Sequence, residues 1–291
     1  MIRFGVIGHP ISHSLSPLMH SAAYEHLGLE CSYQPFDIAP GSLKHALSDF
    51  GMKGFRGLNV TIPHKEPVAT IVDDLAQEAK AVGAVNTILF EDGRTRGENT
   101  DVYGFVASVS PHRASVDGAT AVLLGAGGTA RAILYALLTQ FRLAQVVVAN
   151  RHEARATELI RHFEPYAGST VLRTTDMREP QLTRAAHAAT LIVNATPAGM
   201  TPNVSTSPLD GQFVFRPDHL VVDSVYIPVR TAFLASASRD GARTLSGLEM
   251  FLHQGARSFE LWLGRQMPLE YVRPVIEAEL KRRTNKPDQH R

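Results

Sequence analysis

Lys65 stands just past a proline in the run GLNVTIPHKEPV, residues 57–68. An amine fixed at such a point can pass a proton, or stabilise negative charge developing on an oxygen. Val60, Thr61 and Ile62 are β-branched and suit a pleated surface, while Pro63 favours extended geometry at Ile62 and ends any ladder there. Alternation along the strand puts Asn59 and Thr61 on one face and Val60 and Ile62 on the other, and Lys65 joins the polar parity if the chain stays extended. Three hydrogen-bonding groups then converge at a strand end. The other reading is a lysine in a solvated loop, the usual place for that residue.

Two further stretches carry polar groups ahead of apolar ones. GENTDVYGF, residues 97–105, presents Asp101, a carboxylate that can pair with a lysine or, like Thr100, cap the helix that follows. HSLSP, with Ser14 and Ser16, can likewise be a capped helix start. The thirteen histidines raise metal binding, but no HExxH or Cys/His cluster is present. His9 and His13 are four apart, yet Pro10, Ser12 and Ser14 argue against a helix, so no metal site is expected.

AVLLGAGGTARAILYALL sets Gly125, Gly127 and Ala130 in a GxGxxA spacing between an apolar run and a helical one. Gly125 permits a tight turn, Gly127 lets backbone approach a pyrophosphate, and a small residue at 130 lets helix pack on strand. Amides at the helix N-terminus then hold the phosphates, which reads as a dinucleotide site. The next strand ends VVVANRHEAR, offering Asn150, Arg151 and Arg155 where an NAD site commonly carries an acidic residue. Guanidinium forks match a 2′-phosphate and favour NADP, unless both arginines are solvated helix-start residues, one of them neutralised by Glu153.

The elements that must position these groups alternate in type. RFGVIG, CSYQPFDI and GLNVTI read as strands, with helices from Pro17 to about Leu27, near 42–50 and over 66–80. A second series runs through ATAVLLGAGG, a helix, AQVVVANR, ATLIVNATPAG and HLVVDSVY. Such alternation predicts an α/β chain with mainly parallel sheets. GLEMFLHQGARSFELWLG, residues 247–264, has helical periodicity through Met250, His253, Gln254 and Arg257 and could pack back on the first domain. At 291 residues, two domains are expected. A net charge of +1 gives no general case for nucleic-acid or membrane partners. Cys31 is the only cysteine, no apolar run reaches the length of a membrane span, and no signal peptide is read, so a cytoplasmic protein is expected. The tail KRRTNKPDQHR is read as a solvated, frayed end.

The ordered set GHPISHSLSP, NVTIPHK, AVGAVNT, GENTD, GAGGTAR, NATPAGM and GLEMFLHQ resembles the shikimate dehydrogenase family, from residue 5 to about 265. That resemblance implies an N-terminal α/β substrate domain over 1–104 and 245–291 and a Rossmann NADP-binding domain over 105–244, with the active site in the interdomain cleft. It implies reversible NADPH-dependent reduction of 3-dehydroshikimate to shikimate, in chorismate and aromatic amino-acid biosynthesis. Lys65 matches the family's catalytic lysine and Asp101 its partner. Ser14, Ser16, Asn59, Thr61, Asn86, Tyr226 and Gln254 match positions that contact the substrate or the catalytic pair. Gly125, Ala126, Gly127, Gly128, Thr129, Ala130, Asn150, Arg151, Arg155, Thr196, Gly247 and Met250 match cofactor positions. A monomer or homodimer acting on a small molecule is implied. Three positions depart from the common pattern: His152 follows NR where threonine is usual, Ser21 replaces an asparagine after MH, and Ser224 takes a usually apolar place. A quinate or dual quinate/shikimate dehydrogenase, a catalytically silent ligand sensor, and a generic Rossmann binding module are the competing readings.

Overall fold

The structure, a computed structural model, describes residues 1–284 apart from Glu179 and Asp210. Residues 285–291 of the basic tail lie outside the described residues. The chain forms two compact units, one of Met1–Gly104 with the segment from Leu252 onward, the other Phe105–Phe251. The second boundary falls seven residues after the expected 245, inside the helix Gly247–Leu263, so Gly247 and Met250 belong to the second unit.

The first unit contains β1 (Ile2–Gly8), β2 (Cys31–Asp37), β3 (Phe55–Val60), β4 (Asp74–Leu75), β5 (Thr87–Glu91) and β6 (Arg94–Glu98), arranged β2-β1-β3-β5-β6-β4. Its helices include α1 (Ser16–His26), α2 (Leu43–Met52), α3 (Lys65–Val68) and α4 (Gln77–Val82), and α5 (Asp101–Val109) starts at its end. β1 pairs in parallel with β2 and β3, β4 pairs in parallel with β6, and only β5 runs against its neighbours. Asp92 and Gly93 join β5 to β6 with φ of 50° and 77°, the left-handed pair a two-residue hairpin needs.

The helix expected over 66–80 is instead α3, a turn, β4 and α4. The Asp73 carboxylate accepts from the Thr95 amide at 2.7 Å and its hydroxyl at 2.8 Å, which pulls the chain out of helix and lays β4 beside β6. Ile7, Phe50, Phe55, Leu58, Val60 and Ile88 fill the core of this unit, each large side chain contributing roughly 1.5–3 kcal/mol by burial. Gly57 cannot carry a side chain, because a Cβ there would lie 2.2 Å from the Trp262 ring nitrogen, which donates to the Ile88 carbonyl at 3.0 Å.

The second unit contains β7 (Thr120–Leu124), β8 (Gln145–Ala149), β9 (Val171–Thr175), β10 (Leu191–Asn194), β11 (Leu220–Asp223) and β12 (Arg243–Leu245). Its helices include α6 (Arg113–Val116), α7 (Gly128–Gln140), α8 (Glu153–Phe163), α9 (Gln181–Ala188) and α10 (Ala232–Arg239); α11 (Gly247–Leu263) and α12 (Leu269–Thr284) follow. All its pairings are parallel and the order is β12-β11-β10-β7-β8-β9. Read from β9, this is the 3-2-1-4-5-6 order of the doubly wound dinucleotide fold. β10 and β11 are buried along their whole length, as strands covered on both faces must be.

Asp223 ends β11 with no exposure, and burial pushes its carboxyl from 3.8 up to about 6, against hydrogen bonds from Thr231, Val225 and Asn194. Between those two values the folded state holds the proton and the unfolded chain does not. The stability from this group is therefore full below pH ~4 and lost as pH rises through about 6. A gap of about two units corresponds to ~3 kcal/mol. Asp223→Asn cannot titrate, so its stability relative to the parent should climb by about that amount between pH 4 and 7 in urea denaturation. A pH-independent difference would refute the assignment.

Candidate active site

β3 ends at Val60, and the chain does not stay extended to Lys65. The Thr61 amide still donates to Ile7 at 2.9 Å, but the His64 amide then bonds the Thr61 carbonyl at 2.9 Å and closes a turn. Ile62 is exposed rather than buried. Strand parity therefore does not aim Lys65; it opens α3, and two anchors fix it. Its carbonyl accepts from the Val85 amide at 2.8 Å, and its neighbour His64 is buried with Nε2 donating to the Ile38 carbonyl at 2.7 Å.

Lys65 Nζ lies 2.6 Å from Asp101 Oδ2, with side-chain exposures of 13% and 6%. The other carboxylate oxygen accepts from Asn86 Nδ2 at 2.9 Å. Asp101 opens α5, where a carboxylate suits the helix dipole, yet it does not cap that helix. Asn99 Oδ1 accepts from the amides of Asp101 at 3.2 Å and Val102 at 3.4 Å. Asn99 thus takes the capping role foreseen for Thr100 or Asp101, and the Asp101 side chain is left for the lysine.

Asn86 joins the segments. Its amide nitrogen also reaches Thr100 Oγ1 at 2.9 Å and Gln254 Oε1 at 3.3 Å, and its side-chain oxygen accepts from the Thr100 amide at 2.7 Å. Main-chain bonds tie Asn86 to Glu98 at 3.1 Å and to Val60 at 2.8 Å. Asn59 lies beneath, fully committed. Its oxygen accepts from the Tyr33 hydroxyl at 2.7 Å, and its nitrogen reaches Ser258 Oγ at 2.9 Å and Thr87 Oγ1 at 3.1 Å. It is buried at 5% exposure, so it supports the pair from below. Thr87 and Ser258 were not singled out from sequence; Ser258 lies four residues after Gln254, a helical spacing that marks the shared face.

Ser14 is half-buried and its hydroxyl accepts from the Ser16 amide at 3.2 Å; Ser16 is buried at the start of α1. Thr61 and Gln254 are half-buried in the same unit. Tyr226 belongs to the second unit, where its ring stacks on Phe251 at 4.3 Å. Gly247 donates to the Val225 carbonyl at 3.2 Å, and a Cβ there would stand 2.4 Å from the Ser224 carbonyl oxygen; Met250 is buried one turn on.

Gly125 has φ +112°, a conformation open to glycine, and a Cβ would crowd the Ala195 carbonyl oxygen at 3.0 Å. Ala126 is buried, and Ala130 is fully buried where α7 meets the sheet. Gly127 is the N-cap of α7 with no side-chain cap, and a Cβ built on it meets nothing within 4 Å. Gly128, Thr129 and Ala130 form the first turn of α7, where helix amides point away from intrahelical acceptors, an arrangement that fits a dinucleotide pyrophosphate. Asn150 Nδ2 donates to the His152 carbonyl at 2.9 Å and shapes the turn, while Arg151, His152 and Arg155 are exposed beside it at the head of α8. The Thr196 hydroxyl donates to Asn194 Oδ1 at 2.7 Å, so that group is used within its own loop. Among the described residues there is no cluster of ligands for a metal ion and no helix long and apolar enough to cross a membrane.

Three family descriptions match the chain: "Shikimate dehydrogenase substrate binding domain" over residues 6–88, "Shikimate / quinate 5-dehydrogenase" over 108–203 and "Shikimate 5'-dehydrogenase C-terminal domain" over 247–277. A shikimate dehydrogenase (NADP(+)) of Moorella thermoacetica is 42% identical over 94% of this chain and 92% of its own. Shikimate 5-dehydrogenase of Thermus thermophilus, solved with NADP(H) and shikimate, is 38% identical at a TM-score of 0.83, covering 96% of this chain and 99% of that one. Quinate dehydrogenase of Corynebacterium glutamicum, solved with NAD, is 32% identical at a TM-score of 0.85, covering 95% and 99%. With its motifs, its two sheets and its relatives in agreement along nearly the whole length, the chain belongs to the shikimate dehydrogenase family.

Proposed function

We propose that this chain catalyses the reversible NADPH-dependent reduction of 3-dehydroshikimate to shikimate. The observation that carries the reading is the Lys65–Asp101 pair at 2.6 Å, nearly buried and squared by Asn86, in a chain of this family. The unit built on 1–104 and the returning helices binds the substrate, and the unit around 105–244 binds NADP. When bound, NADPH supplies the hydride. Lys65 stands at the reacting oxygen, stabilises its developing negative charge and delivers the proton; in the oxidative direction it takes the hydroxyl proton. Asp101 holds the lysine in one rotamer, and Asn86 holds Asp101. Ser14, Ser16 and Tyr226 meet the carboxylate, while Thr61, Asn86 and Gln254 meet the ring hydroxyls. Orientation by several groups makes the transfer effectively unimolecular. Asn59 supports the catalytic pair from beneath, its Nδ2 donating to the Asn86 carbonyl at 3.3 Å.

Gly125 to Ala130 hold the pyrophosphate, with Thr196, Gly247 and Met250 alongside, and Asn150, Arg151 and Arg155 select the 2′-phosphate. The enzyme works in the cytoplasm as a monomer or homodimer. Steady-state kinetics with shikimate and quinate, each against NADP and NAD, test the whole reading. The highest specificity constant should fall to shikimate with NADP. A preference for quinate with NAD, or no nicotinamide turnover at all, would overturn it.

Lys65→Ala should lower kcat by roughly 10²- to 10⁴-fold while KM for shikimate stays within about an order of magnitude. Wild-type turnover in that variant would remove Lys65 from the chemistry. Asp101→Asn keeps the shape but not the charge, so turnover should fall severely and the pH dependence of kcat should change. An active variant with an unaltered pH profile would leave Asp101 a purely structural role.

Arg151→Ala with Arg155→Ala should spare NAD and weaken NADP, because the cofactors differ only in the 2′-phosphate. Each charged hydrogen bond contributes roughly 1.5–3 kcal/mol, so the NADP/NAD ratio of specificity constants should drop by about two orders of magnitude. A double variant still strongly selective for NADP would show that both arginines are solvated bystanders; His152→Thr, compared across pH 6 to 9, reports separately on the histidine at the unusual position.

A further inference from the structure

The reaction makes no use of the carboxylate buried where β10 and β11 end. Asn194, Asp223 and Thr231 are each without exposure. Asp223 Oδ1 accepts from Asn194 Nδ2 at 2.9 Å and from the Val225 amide at 3.0 Å, and Oδ2 accepts from the Thr231 hydroxyl at 2.7 Å. Asn194 carries the network outward, its oxygen accepting from the Thr196 amide at 3.0 Å and hydroxyl at 2.7 Å, its nitrogen also reaching the Ala198 carbonyl at 3.3 Å. On the other side, the segment fixed by the Val225 amide runs directly into Tyr226, and the Val225 carbonyl receives the Gly247 amide at 3.2 Å. Three stretches proposed to meet ligands, 195–198, 224–226 and the head of α11, thus hang from one side chain.

Burial opposes charge at Asp223, and apolar residues of similar volume are often no less stable than buried charged groups. What a carboxylate supplies here is direction: its two oxygens receive three donors from three separate segments. We infer that Asp223 is a positioning residue, which holds the loop of Thr196 and the turn of Tyr226 in the register that binding of NADP and shikimate requires. The inference rests on the proposed contacts of Thr196 and Tyr226.

Asp223→Ala strands the donors of Asn194, Val225 and Thr231, Thr231→Val removes the donor to Oδ2 together with the side-chain cap of α10, and Asp223→Asn keeps the shape and an acceptor oxygen. Each variant is compared with the parent for melting temperature, NADPH binding by fluorescence titration, and kcat and KM with shikimate and NADP. Asp223→Ala should raise both KM values and the NADPH dissociation constant at least tenfold, with kcat at saturation within about threefold, and Asp223→Asn should recover most of the binding. If Asp223→Ala does not fold, Thr231→Val carries the test, with KM values raised about fivefold. A folded variant with parental KM values, or one that loses kcat at unchanged KM, overturns the inference. Failure of the functional reading looks different, for then the parent itself turns over no shikimate.

Discussion

The polar layer of the first unit is built around keeping one ion pair out of water. Removing an ammonium and a carboxylate from solvent costs several kcal/mol per ion, and their attraction repays this only when the remaining valences are satisfied. At Lys65 and Asp101 the compensation is visible atom by atom. The lysine takes one carboxylate oxygen, Asn86 takes the other, and Asn99 relieves Asp101 of capping α5. Asn86 would swing without support, and it receives support from Thr100, from Gln254 and, through the main chain, from Val60 and Glu98. Beneath it Asn59, Thr87 and Ser258 close a polar layer whose members are hydrogen-bonded to one another. Buried networks of this kind rigidify when complete and are costly when incomplete. The layer includes Ser258 of α11, so the helix from the far end of the chain is bound to β3 and β5 by polar as well as apolar contacts.

The second unit carries the opposite design. At the head of α7 the N-cap Gly127 supplies no side-chain cap, and a Cβ built on it meets nothing within 4 Å. Helix N-termini without partners are unfavourable unless something anionic or solvent meets them. In the same sheet, the strand ends of β10 and β11 are saturated through Asp223.

Much of this was legible in the sequence because it is local. The strand before GAGG, the helix after it and Pro17 at the start of α1 act through neighbours, and they fell where periodicity put them. The helix read over 66–80 failed because its breaking contact, Asp73 to Thr95, comes from twenty-two residues away. Asp92-Gly93 was a readable hairpin signal that went unused, and it accounts for the antiparallel strand β5. The condition that would put Lys65 on the polar parity fails, since the extended chain stops at a turn, and its match to the family motif is what singles it out. The match of Asn59 to a position that contacts the substrate or the catalytic pair does not reveal its bonds to Tyr33, Thr87 and Ser258, which only the tertiary structure brings together. Thr231 is a local signal only as the cap of α10, accepting from the Leu234 amide at 3.3 Å, whereas the bond between Asp223 and Asn194 exists only because β10 and β11 pair.

A scaffold with these two sheets also serves a quinate dehydrogenase that holds NAD, so the fold alone does not decide which cofactor or ring is used. The difference has to lie in side chains that the fold leaves free to vary. At the end of β8 the positions that could hold an acidic residue carry a half-buried Asn150 and an exposed Arg151, with an exposed Arg155 in the first turn of α8. The Lys65–Asp101 pair cannot vary in this way, because losing either partner strands a buried charge and loosens Asn86 with it. On the proposed reading, proton transfer is tied to the core of one unit, while cofactor preference sits on exposed side chains of the other. Under that proposal, the separation would let one architecture keep a single proton-transfer device and exchange the cofactor that supplies the hydride.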